Sequence, residues 1–162
     1  MAKLIRIISL GFLLLVICSC SQSKLKPVPA STKVDLNMLL AQATQTVTAP
    51  NGSVVGRVVS ITQDAKPLAN TIIRLAPIQY DENNNPLGWV LEGGTSPGAI
   101  TDGDGYFSIN NITAKDYVMI VGDITAEYYV MLQSDGKHAV VYTIQPGQVL
   151  SLDKVEAAFP LK

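Results

Sequence analysis

From Pro50 onward, apolar residues recur at every second position in short runs, and the runs are separated by clusters of glycine, proline, asparagine and aspartate. No other feature constrains the chain as much, because a period of two is that of a strand with one buried face. The runs are "SVVGRVVSI" (Ser53 to Ile61), "NTIIRLAPIQY" (Asn70 to Tyr80), "WVLEG" and "GAIT" around a glycine-rich bend, "YFSIN", "YVMIVGD", "EYYVMLQ", "HAVVYTI" and "VLSLD". In the second run Ile73 and Leu75 share one face while Ile72 and Arg74 share the other. Turn signals spaced by roughly 8–12 residues predict an all-β, seven- to eight-stranded Greek-key β-sandwich over residues 51–162. No helix-length periodic segment interrupts the series, which argues against βαβ units and a parallel sheet. Asp135-Gly136 predicts a type I′ hairpin between "EYYVMLQ" and "HAVVYTI", and Pro146-Gly147 predicts another turn.

The first twenty residues are of a different kind. Lys3 and Arg6 precede an apolar run from Ile7 to Ile17, broken by Ser9 and Gly11. That length suits a signal h-region and falls short of the roughly 20 residues of a spanning helix. The run ends in Ile17-Cys18-Ser19-Cys20, which resembles a bacterial lipobox with Cys20 as the acylated residue. Residues 1–19 are therefore expected to be a lipoprotein signal peptide. A plain secretory signal and an uncleaved N-terminal anchor are the alternatives. Lipidation at Cys20 would place the chain at the bacterial cell envelope, held to a membrane by its acyl chains, the outer membrane where the cell has two. Each buried CH₂ of those chains contributes about 0.8 kcal/mol.

Cleavage before Cys20 leaves a domain without a thiol, disulfide or cysteine ligand, so its stability must come from a hydrophobic core. The mature chain would carry ten basic against thirteen acidic residues, a net charge of −3. That balance gives no electrostatic footprint for nucleic acid and no polybasic patch for anionic lipid.

Residues 20–50 are expected to form the lipidated N-terminus and a linker, rich in lysine, proline and serine at its start. Within it, Leu36, Leu39, Leu40 and Ala43 fall at helical spacing with Asp35 as a candidate cap, which predicts a short helix over 35–44. Such a helix either lies on the domain or docks to a partner or bilayer surface.

Three stretches then carry a resemblance. Gly56-Arg57-Val58, Lys66-Pro67-Leu68-Ala69 and Ile73-Arg74-Leu75 are followed by Thr101-Asp102, Asp104-Gly105-Tyr106-Phe107, Asn111-Ile112 and Tyr117-Val118-Met119. Together they resemble the carboxypeptidase regulatory-like domain, a transthyretin-like sandwich. The resemblance covers Ser53 to Val121. It departs at Lys115, where that family has glycine, and in the longer stretch from Tyr80 to Pro97. It implies an accessory module of extracellular proteins, with no enzymatic activity and no cofactor. It also implies that Asp102, Asp104 and Gly105 form a structural turn, with Phe107 and Ile109 facing inward and Tyr106 and Ser108 outward.

The remaining motifs support no catalytic or metal site. Asp102-Gly103-Asp104-Gly105 lacks the downstream glutamate of a calcium loop. Asp81, Asn83, Asn85 and Glu92 match calcium-loop positions, but Pro86 stands where the turn glycine belongs. His138 is the only histidine, so neither a three-histidine zinc site nor a local triad motif is present. Binding is the class that survives, with an envelope protein or a glycan as partner. Trp89, the only tryptophan, lies near Asn83, Asn85 and Glu92 in the long stretch and is the candidate ligand platform. Core packing at the start of its strand is the competing role for Trp89. The alternative function is an assembly lipoprotein that docks through its helix or a sheet edge.

Overall fold

The computed structural model describes residues 34–158, so Cys20 and the signal segment lie outside the described residues. The alternating runs pair into two sheets. The first has the order β5 (Tyr106–Thr113), β1 (Asn51–Ser60), β9 (Val149–Ala157). The second is built on β2 (Ile72–Tyr80) and β6 (Asp116–Gly122), which pair antiparallel.

Each outer line of the second sheet is one interrupted strand. β3 (Pro86–Trp89) and β4 (Gly98–Ile100) both pair with β2, at its end and its beginning. Likewise β7 (Tyr128–Val130) and β8 (Val141–Thr143) pair with the two ends of β6. The nine segments thus follow seven strand lines. The chain passes from β1 to the β2–β3/β4 hairpin in the opposite sheet, then returns as β5 beside β1, which makes the Greek key.

The alternation read from sequence sets the two inner faces. Val54, Val58, Phe107, Ile109 and Val155 from one sheet meet Ile73, Leu75, Tyr117, Met119 and Val121 from the other. This cysteine-free core is the two-layer interior of a β-sandwich.

Several residues that carry the family resemblance touch one another. Gly56 pairs directly with Phe107, and a Cβ on Gly56 would sit 2.9 Å from the phenyl ring and 2.8 Å from the Leu152 carbonyl. Glycine is needed there because ring and backbone already fill the space. Buried Thr101 donates its hydroxyl to the Leu68 carbonyl and accepts the Thr71 N–H at 2.9 Å, fixing the loop into β2. Arg57 Nε donates to the Asp104 carbonyl at 2.8 Å. In the turn before β5, Asp102 Oδ1 accepts the N–H groups of Asp104 (2.9 Å) and Tyr106 (2.8 Å). Gly105 closes that turn at φ 82°, where a Cβ would meet the Val58 carbonyl at 2.5 Å.

Four local expectations need correction. Asp135-Gly136 is not a type I′ turn, since only Gly136 has positive φ (65°). The runs flanking it do form a hairpin, but only over Met131–Gln133 and His138–Val140; their outer parts pair with the two ends of β6, which offers an open edge along its whole length. One strand pair, β1 with β9, is parallel, because β9 arrives from the opposite sheet and needs no crossover helix. The run "WVLEG" is not a strand beyond Trp89, because Val90–Gly93 belong to the loop that precedes β4. At Lys115, where the resemblance has glycine, the turn takes another geometry and the positive φ falls on Asn111 (59°), inside a register shift of β5 against β1.

A helix, α1 (Leu36–Thr46), precedes β1 and is capped by Asp35, whose carboxylate accepts the Met38 N–H at 2.9 Å. It packs on β1, β5 and β9, and Ala43 is buried. Val55 faces away from the sandwich core yet is fully buried, which places the helix over the outer face of this sheet.

Replacing Gly56 with Ala is expected to lower stability by roughly 1–3 kcal/mol, the cost of overpacking a filled site. Urea unfolding checks this, with a fall in midpoint at unchanged slope.

Candidate functional site

The outer face of the second sheet is where the structure departs from plain alternation. Ala76, Val118 and Ile120 point away from the core cluster and are nonetheless buried. The two interruptions account for this. The excursion over residues 90–97 is tied to the face by Arg74, whose Nη1 donates to the carbonyls of Gly93 (2.8 Å) and Ser96 (3.4 Å). The excursion over residues 131–140 is a small hairpin closed by hydrogen bonds between Gln133 and His138 and between Val140 and Met131, each 2.8 Å.

Between the second excursion and β3 lies a cleft of about 430 Å³, within the range of small-ligand sites. Its apolar floor combines Ile78, Trp89, Val118 and Val141. Register explains the grouping, since Trp89 pairs with Ile78, and Val141 with Val118, across neighbouring strands of one face. Trp89 is 37 % exposed and Val141 48 %, while Leu87 on the same wall is 71 % exposed. Trp89 therefore lies outside the sandwich core.

Gln133, Lys137 and His138 form the polar rim. The Asp135 carboxylate holds the His138 ring through Nδ1 and accepts the backbone N–H groups of Lys137 (2.9 Å) and His138 (3.0 Å). These bonds, the His138 side chain first, pull the Asp135 carboxyl down from 3.8 to about 2. Gln133 Nε2 donates to the Ala139 carbonyl at 3.2 Å, leaving its amide oxygen available. Across the sheet, Asp116 accepts hydroxyls from Thr143 and Tyr80, which hold its carboxyl below the usual range and link β8, β6 and β2.

Asn83, Asn85 and Glu92 do not line this cleft. Asp81 Oδ1 accepts the N–H groups of Asn83 (2.8 Å) and Asn85 (2.7 Å), and Asn85 Nδ2 donates to Asp81 Oδ2 at 3.0 Å. That loop satisfies itself as an Asx turn. Glu92 accepts the Thr95 hydroxyl at 3.1 Å and donates its N–H to Ser96 Oγ at 2.9 Å, serving the first excursion. Proximity in sequence had grouped these residues with Trp89; the pleat sends them elsewhere. Among the described residues, no group of three or more His, Cys, Asp or Glu side chains could hold a metal.

The partners of Trp89 were missed because they come from a segment about 45 residues later, by the numbering of Trp89 and Ser134. One signal was present. The run "YVMIVG" is apolar at both parities, and a strand buried on both faces needs a cover on each.

Searched against family models the chain matches none, and no curated protein matches it. Among solved structures it is similar to the major pilin subunit of Bacillus cereus, at 16% identity and TM-score 0.40, covering 66% of this chain and 30% of that one. It is also similar to a Pseudomonas aeruginosa protein described as a candidate carbohydrate binder, at 21% identity and TM-score 0.41, covering 71% and 94%. A third similar structure is a group B streptococcus pilus backbone protein, at 17% identity and TM-score 0.37, covering 68% and 42%. The chain thus spans about 30% of the length of the Bacillus pilin. At these scores the likenesses carry no weight on function.

Asp135 contributes stability to its hairpin above the ordinary carboxylate pKa, and that contribution is lost as pH falls from 3.8 through about 2. Thermal melts of Asp135→Asn at pH 7 and pH 2.5 are expected to show a smaller acid-induced drop in Tm than the parent.

Proposed function

We propose that this chain is a non-enzymatic binding module, displayed at the bacterial cell envelope on acyl chains attached to Cys20, and that its ligand seats in the Trp89 cleft. The observation that carries this reading is the cleft itself: an exposed indole on an apolar floor with an amide, an ammonium and an imidazole at the rim. Aromatic floors with a few convergent polar groups are the usual form of a recognition site. The resemblance to carboxypeptidase regulatory-like domains supports an accessory role.

Docking through the helix is the weaker reading, because α1 already spends its buried position, Ala43, on covering β1 and its neighbours. Among the described residues no helix is long and apolar enough to cross a membrane. In this reading the membrane attachment is a lipid on Cys20.

Two measurements test it. Trp89 is the only tryptophan, so intrinsic fluorescence reports directly on the cleft. Titration with soluble extract of the host envelope is expected to shift its emission saturably, and Trp89→Ala is expected to lose the partner in a pull-down. Retained capture by Trp89→Ala would contradict the site. For the anchor, Cys20→Ser is expected to abolish incorporation of labelled fatty acid and release the protein from membranes; unchanged labelling would contradict it.

A further inference from the structure

The rim of the cleft carries one ammonium, Lys137, that no side-chain carboxylate pairs with among the described residues. The chain as a whole is net acidic, at −1. Yet the residues lining the cleft include Lys137 and His138 and no carboxylate. Asp135 lies one turn away and is fully engaged, with both oxygens committed to His138 and the backbone of the hairpin. Lys137, by contrast, is exposed and makes no ion pair among the described residues. An ammonium placed without a counter-charge beside an exposed indole is a half-made interaction, and an anionic ligand completes it.

The floor narrows the chemistry further. Trp89 and Val141 offer an open apolar surface, at 37 % and 48 % exposure, over Ile78 and the buried Val118. A pyranose ring presents a face of C–H groups that stacks on such a surface while its hydroxyls point outward. The rim supplies what those hydroxyls need: an acceptor in Gln133 Oε1, a donor in Lys137 Nζ, and the imidazole nitrogen of His138 that Asp135 leaves unbonded. The main chain of an uncharged peptide could meet Gln133 and His138, but it offers Lys137 no anion.

Building on the cleft's role as a binding site, we infer that its ligand is a carboxylate-bearing saccharide, stacked on Trp89 with its carboxylate paired to Lys137. The test uses an oligogalacturonate and the same oligomer with its carboxylates reduced to alcohols, each titrated against Trp89 emission, with an uncharged apolar peptide as third probe. The oligogalacturonate is expected to shift the emission saturably. The reduced oligomer is expected to bind about tenfold more weakly, as loss of a charge-assisted pair implies. Lys137→Gln is expected to equalise the two oligomers while leaving the urea-unfolding midpoint unchanged, since Lys137 is exposed and outside the core cluster.

Equal binding of both oligomers to the parent protein would overturn the carboxylate assignment. Binding of the peptide with no response to either sugar would overturn the saccharide assignment, and the cleft would remain a binding site. If no probe and no envelope extract moved the emission, the inference and the binding role beneath it would fall together.

Discussion

β1 is the constraint on which the rest of the structure depends. It is buried on both faces and paired on both edges, antiparallel to β5 and parallel to β9. Its inward residues Val54 and Val58 enter the sandwich core, and its outward Val55 lies under the helix. Gly56 is the point where this crowding is resolved. Without a Cβ, the strand lets Phe107 lie against its backbone and keeps the Leu152 carbonyl in register on the other side. The turn before β5 closes on the same strand, through Arg57 to Asp104 and through the Gly105 carbonyl accepting the Val58 N–H at 2.8 Å. Gly56–Val58 and Asp102–Phe107 are therefore spatial neighbours, joined by contacts that permit few alternatives.

Much of this was legible in the alternation. The inward and outward assignments along β2 and β5 follow from a period of two, and the third element is interrupted as expected, although its first segment is Pro86–Trp89 and not "WVLEG". The tight turn at Asp102–Gly105 was legible because aspartate and glycine each have a local reason to be there. The pairing of the later runs was not. "EYYVMLQ" and "HAVVYTI" flank a turn dipeptide, so local chemistry favours pairing them with each other. The structure pairs them with each other only beside the turn and gives the rest of both to β6, whose open edge lies along a buried strand. The parallel pairing of β9 was illegible for a similar reason: it depends on which sheet the chain is leaving.

The same physics decided how the site was read. Trp89 was visible as the sole indole, but its sequence neighbours Asn83, Asn85 and Glu92 are occupied in closing their own loops. Of the companions that matter, Val118 and Val141 reach it through strand register, and Gln133 and Lys137 through the hairpin over residues 131–140. The interruptions in the outer lines of the second sheet have a double effect. They cover outward apolar residues of β2 and β6, and they leave a cleft where the second excursion stops short of β3. A sandwich with uninterrupted edges would present a plain sheet face; this one presents a floor with a rim.

The account's central claim is that recognition happens on that floor. Amide chemical-shift mapping of the isotopically labelled domain against soluble envelope material tests it most directly. The account predicts perturbations clustered at residues 86–90, at 117–119 and at 133–141, with α1 and the edges of the first sheet unmoved. Perturbations confined to α1, β5 and β9 would contradict it.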